Sequence, residues 1–190
     1  MKKKEEIKKL LVVVDMVNGF IREGNMADPG IANILPAIRE CIESSRCDGL
    51  AFIRDSHPED AAEFQKFPVH CLSGTSESEL VDELKEYAGG ALDYEKNSTS
   101  AVFAPGFLED IESMSSLEEV IISGCCTDIC VMNLAMPLTN YFDQNNRKVI
   151  VRAPRNLTET YDAPVHLRAD YNGMANRLME LSGIKTEELK

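Results

Sequence analysis

The chain has 190 residues, 44% of them hydrophobic, and a formal net charge of -12 at neutral pH. That length supports one well-buried core and falls short of a second, so a single domain over residues 1–190 is expected. The acidic balance argues against nonspecific nucleic-acid binding, which needs basic surfaces to release counterions from phosphate, and is compatible with a small neutral substrate.

Residues 1–9 are charged and read as a flexible N-terminal segment. The apolar run behind them, Leu10–Val14, is only five residues long before Asp15 stops it, too short for a signal-peptide core. No apolar stretch reaches bilayer-spanning length, so no membrane partner is expected. Six cysteines, with no Cys-x-x-Cys pair and no disulfide-module spacing, fit a reducing compartment, and a cytoplasmic location follows as the expectation.

Strand-like runs at 10–15, 48–54, 90–95, 117–123 and 147–153 alternate with amphipathic stretches at 33–46, 79–87, 106–113, 127–145 and 164–181. Such alternation predicts an α/β fold: a three-layer αβα domain with a central, mostly parallel sheet. Pro36 fits a first helical turn, whereas Pro137 should interrupt or kink the helix around it. The stretch from Asp55 to Thr75 is long for a loop in a compact domain, and long ordered loops are often functional.

Three residues close strand-like runs or follow them directly. Asp15 ends the first run, Lys96 follows the third, and Cys130 sits just beyond the fourth in Ser123-Gly124-Cys125-Cys126-Thr127-Asp128-Ile129-Cys130. Ligands of open α/β sheets bind outside the carboxyl ends of the strands, so these three side chains are expected at one edge. A thiol near a helix start ionises more easily, an ammonium stabilises the thiolate, and a carboxylate can take its proton. Each residue alone also fits a plain structural role: a buried cysteine, an aspartate capping a turn, a solvated lysine.

Two of the three histidines fall in the long loop, as Asp55-Ser56-His57 and His70, with Glu63 between them. Mixed imidazole and carboxylate donors suit one divalent transition metal, with zinc, iron or manganese as the expected choices. Glu59 and Asp60 compete with Glu63, and the plain alternative is a turn histidine at 57 and a core histidine at 70.

The segments Asp15-Met16-Val17-Asn18-Gly19-Phe20, Lys96 ahead of Ser100-Ala101-Val102-Phe103, and Gly124 to Val131 together resemble the isochorismatase-like cysteine hydrolases, over a stretch from Leu10 to about Ser182. The resemblance implies a catalytic triad of Asp15, Lys96 and Cys130, a cis peptide between Cys125 and Cys126, and an oxyanion pocket from the amides of Cys126 and Cys130. The order Asp55, His57, Glu63, His70 is similar to the metal site of the nicotinamidase branch in its glutamate variant. Phe20 and Phe67 match positions where that branch holds rings against a pyridine. The implied activity is metal-dependent hydrolysis of nicotinamide to nicotinate and ammonia in NAD salvage, by a possible homo-oligomer. The alternatives are a metal-free hydrolase of another small amide or enol ether, and a catalytically silent binding member.

Overall fold

The computed structural model describes residues 3–44 and 46–189. Among these, β1 (Lys9–Val14), β2 (Gly49–Asp55), β3 (Leu92–Lys96), β4 (Glu119–Cys125) and β5 (Ile150–Arg152) form a sheet in the order β3-β2-β1-β4-β5, and the short β6 (Thr158–Glu159) also pairs with β4. All of these pairings are parallel. A parallel sheet must be covered on both faces, and the β1 sequence shows how this is met. Leu10, Val12 and Val14 point into one core with Ile53 and Ile122, while Leu11 and Val13 point into the other with Phe52 and Ile121.

The covering helices are α1 (Asn18–Ile21), α2 (Leu35–Glu43), α3 (Asp82–Ala88), α4 (Phe107–Ser113), α5 (Met132–Gln144) and α6 (Arg168–Leu181). α2 and α3 supply Leu35, Ile38 and Leu84 to the Leu11 side; α4, α5 and α6 supply Phe107, Leu138 and Met179 to the Leu10 side. Each such side chain contributes roughly 1.5–3 kcal/mol by leaving water. The result is the expected αβα sandwich.

Several expectations change in detail. The stretch 33–46 begins as a 3-10 helix, Pro29–Ile34, capped by the Asp28 carboxylate on the Gly30 amide at 2.8 Å, before α2 starts with Pro36 in its first turn. The stretch 127–145 divides into a π-helical turn, Thr127–Val131, followed by α5. α5 then runs through Pro137. The carbonyl that loses its amide to the proline ring belongs to Asn133, and the Ser100 hydroxyl donates to it at 2.7 Å. The short elements α1 and β6 had no signal long enough to be read.

The segment 1–9 departs from a flexible tail over its described part. Lys4–Glu6 make one helical turn, Ile7 is buried in the core, and the Lys4 ammonium lies 2.5 Å from Asp110 Oδ1. A buried isoleucine ahead of β1 ties the chain down. Met1 and Lys2 lie outside the described residues.

Candidate active site

β3, β2, β1 and β4 are neighbours in that order with their carboxyl ends on one edge, and the three chemically useful residues leave from β3, β1 and β4 there. Asp15 follows the last residue of β1 and adopts the left-handed region, φ 53°, rather than continuing the strand. Its amide donates to the Ile53 carbonyl at 2.8 Å, and its carbonyl accepts from the Cys125 thiol at 3.1 Å. Lys96 closes β3. β4 passes β1 so closely at Gly124, φ 107°, that a Cβ there would stand 1.9 Å from the Val14 carbonyl oxygen, so only glycine fits. The Cys125–Cys126 peptide is cis, as the resemblance implied, and the π-helical turn then carries Cys130 back over the sheet edge.

Asp15, Lys96 and Cys130 meet in a buried cluster. The Lys96 ammonium lies 2.9 Å from Asp15 Oδ2 and 3.6 Å from Cys130 Sγ, and it also contacts Asp55 Oδ1. Burial pushes the Asp15 carboxyl up, helped by the Asp55 charge and opposed by Lys96, to about 7. Burial also pushes the Cys130 thiol above its ordinary range, against the pull of Lys96. Asp55 is equally buried, but the Lys96 ammonium, with the nearby His57 and His70 rings, outweighs burial and holds it well below the usual carboxylate range. The cluster thus contains one carboxyl able to exchange a proton near neutrality and one that stays ionised.

Asp55 also belongs to a second group. His57 Nε2 lies 3.5 Å from Asp55 Oδ1, and His70 Nε2 lies 3.7 Å from Asp55 Oδ2. The loop brings the two histidines together by pairing with itself: the His57 amide donates to the Cys71 carbonyl and the Ser73 amide to the His57 carbonyl, each at 2.9 Å. The far nitrogens are fixed, His57 Nδ1 by Asn97 Oδ1 at 2.8 Å and His70 Nδ1 by the Pro68 carbonyl at 2.7 Å. Donor atoms of Asp55, His57 and His70 all lie within 4.8 Å of one another. His57 Nε2 is buried without a hydrogen-bond partner among the described residues. Two imidazoles and a carboxylate converging on an unsatisfied buried nitrogen fit a divalent transition metal, with outer partners already orienting both rings.

Glu63 stands on the wall of the adjoining cavity but outside this trio, while Glu59 and Asp60 are exposed. The cavity is lined by Phe20, Phe67 and Ile129 together with His70, Cys126 and Cys130. Phe20 and Phe67 sit 5.5 and 6.4 Å from the His70 ring. Phe64, not anticipated, packs edge-on against both His57 and His70 at 5.4 and 5.7 Å. Asn97 was likewise missed, although its place directly after Lys96 on the strand end was a signal. In the Thr127–Val131 turn the Cys126 carbonyl accepts the amides of Ile129 and Val131 at 3.0 and 3.1 Å, passing over that of Cys130.

No helix among the described residues is long and apolar enough to cross a membrane, and all six cysteines are free. The chain is 34% identical to nicotinamidase 1 of Arabidopsis thaliana, over 90% of its own length and 77% of that protein's. Among solved structures, yeast nicotinamidase Pnc1p shares the fold at a TM-score of 0.81 with 19% identity, covering 95% of this chain and all 100% of that one. The pyrazinamidase of Pyrococcus horikoshii, solved in complex with zinc, does so at 0.74 with 23% identity, covering 96% and 99%. The model of the Isochorismatase domain matches residues 9–143. A match over most of the sheet and both ends of the triad is more than shared architecture, and the chain belongs to the isochorismatase family.

Proposed function

We propose that this protein is a metal-dependent nicotinamidase that hydrolyses nicotinamide to nicotinate and ammonia. The observation that carries this reading is the Lys96 ammonium, in contact with Asp15 and 3.6 Å from Cys130 Sγ, with Cys130 opening onto a cavity lined by Phe20, Phe67 and His70. Similarity at 34% identity to a plant nicotinamidase supports the amide class of substrate.

In the first half-reaction Asp15 accepts the Cys130 proton, Lys96 stabilises the thiolate, and sulfur attacks the carboxamide carbon. The amides of Cys126 and Cys130 receive the developing oxyanion. Asp15 then returns the proton to the departing nitrogen, which leaves as ammonia and gives a thioester. In the second half-reaction Asp15 takes a proton from water, hydroxide adds to the thioester carbon, and the C–S bond breaks to release nicotinate. The proton passes back to sulfur, restoring the thiol. A carboxyl that titrates near neutrality suits both transfers.

Asp55, His57 and His70 would hold a zinc, iron or manganese ion, with Glu63 as the outlying carboxylate. Bound there, it would supply Lewis acidity and a coordination position for a heteroaromatic nitrogen. Phe20 and Phe67 offer flat apolar faces to an aromatic ring, each contact adding about 0.5–1.5 kcal/mol beyond burial. The protein would act in the cytoplasm, in salvage of the pyridine ring for NAD.

Ammonia release from nicotinamide by purified protein, measured as isolated, after chelation and after metal restoration, tests the reading. Turnover that falls on chelation and returns with metal is expected. Turnover unaffected by thorough chelation favours the metal-free hydrolase, and no turnover of nicotinamide under any of the three conditions removes the assignment.

A further inference from the structure

The carboxy-terminal helix α6 turns one face inward through Ala175, Asn176 and Met179 and leaves its outer face open. That outer face is not the usual polar surface. Leu167, Met174, Leu178 and Leu181 are 54%, 50%, 42% and 85% exposed, at helical spacings that put them on one stripe. Scattered exposed leucines need no explanation, but four aligned over four turns mark a contact surface.

Two charges border the stripe on the same side, Asp170 and Arg177. Seven residues separate them, about 10 Å along the axis, which is too far for pairing within one chain. Neither forms an ion pair among the described residues, and Glu180, the acid nearest Arg177 in sequence, is held by Arg155 at 2.6 Å. A shallow groove lined by Asp170, Gly173, Met174, Arg177, Leu178 and Leu181 runs along this face. A Cβ on Gly173 would meet nothing within 4 Å. Glycine at an exposed helical position costs about 1 kcal/mol relative to alanine, and nothing within the chain requires it.

We propose that α6 is the interface of a two-fold symmetric homodimer in which two copies of the helix pack antiparallel. A two-fold axis between Gly173 and Met174 lies midway between Asp170 and Arg177. It therefore sets Asp170 of each copy against Arg177 of the other, twice per dimer, and closes the two apolar stripes on each other. Flanking residues on the same border of two antiparallel helices face one another, so the pattern is self-complementary, as an isologous contact requires. The charge pair selects a second copy of this chain over a generic apolar partner.

Sedimentation velocity on the full-length protein over a wide concentration range tests this. The wild type is expected to shift with concentration from the 21.1 kDa monomer toward twice that mass. Asp170→Arg and Arg177→Asp each place like charges at both symmetric contacts and should weaken dimerisation at least about tenfold. The double variant Asp170→Arg/Arg177→Asp should restore it. An equimolar mixture of the two single variants should form a heterodimer, since both contacts are then attractive. All the substituted sites are exposed, and circular dichroism checks that the variants fold. A wild type that stays monomeric throughout, or a dimer indifferent to both single variants, overturns the proposal.

Discussion

Asp15 and Asp55 are one hydrogen bond apart: the Asp55 amide donates to Asp15 Oδ1 at 2.9 Å. The proposed base and the carboxylate shared by both clusters are thereby locked in register across β1 and β2, with Lys96 touching each. Two buried carboxylates and one ammonium cannot all be satisfied, and Asp15 takes the strain.

That imbalance has a measurable cost in the metal-free protein. Asp15 titrates near 3.8 when unfolded and at about 7 when folded, raised by burial and then by Asp55. The folded state therefore binds the proton more tightly, and stability falls as pH rises from about 4 to about 7. Asn at this position does not titrate. Asp15→Asn should abolish turnover and yet be more stable than wild type at pH 8, by up to roughly 4 kcal/mol, with the difference closing toward pH 4. Urea denaturation in chelator at several pH values measures it. A gap independent of pH would show that Asp15 does not titrate in this window.

The thiol should respond oppositely to its two neighbours. Burial raises Cys130, Lys96 draws it down, and Asp15 pushes it up. In metal-free protein, Lys96→Met should therefore move the pH midpoint of Cys130 alkylation upward and Asp15→Asn should move it downward, although both variants lose turnover. Mass spectrometry of the alkylated wild type places the adduct. Shifts of the same sign, or an adduct on Cys71, Cys125 or Cys126, would break the role assignment.

Ser100 offers a structural test that links the Lys96 loop to α5. Its hydroxyl replaces the amide that Pro137 denies to Asn133. Ser100→Ala should leave that carbonyl unsatisfied and cost about 1–2 kcal/mol. With Pro137→Ala present, the helix supplies its own amide and the same substitution should cost much less. A double-mutant cycle by urea denaturation reads the coupling; simple additivity would mean that the hydroxyl is not the substitute.

The sequence was most legible where local pattern and tertiary placement agree. The strand-like runs ending at Asp15, Lys96 and Gly124 give the strands, and the rule that ligands gather at their carboxyl ends brings Asp15, Lys96 and Cys130 to one edge. Legibility fails where contacts are made by chain folding back on itself. Phe64 meets both histidines only because the His57 and Leu72 backbones pair, and no periodicity announces that bridge. Pro137 predicts an interruption or kink from sequence because its compensating donor, Ser100, is distant in the chain. Glu63 had the spacing of a ligand, yet spacing alone does not say which way a 3-10 turn, Ala62–Gln65, presents its side chain.

Metal content separates the residues of the second cluster. If Asp55, His57 and His70 hold one ion, purified protein should carry about one equivalent of zinc, iron or manganese. His57→Ala and His70→Ala each remove a donor from a trio confined within 4.8 Å and should empty the site. Glu63 lies outside that trio but close enough for its charge to be felt at His57. Glu63→Gln should therefore keep the metal with an affinity reduced by about 10–100-fold, the range typical of groups that support a site without completing it. Each histidine variant should also bind nicotinamide poorly while Cys130 still reacts with a small alkylating agent, because the thiol, Lys96 and Asp15 are left in place. Metal analysis, nicotinamide binding and alkylation on the same samples distinguish loss of the ion from loss of the fold. Histidine variants that retain full metal and full nicotinamide turnover would remove the metal site and, with it, the reason to prefer a pyridine carboxamide over any other small amide.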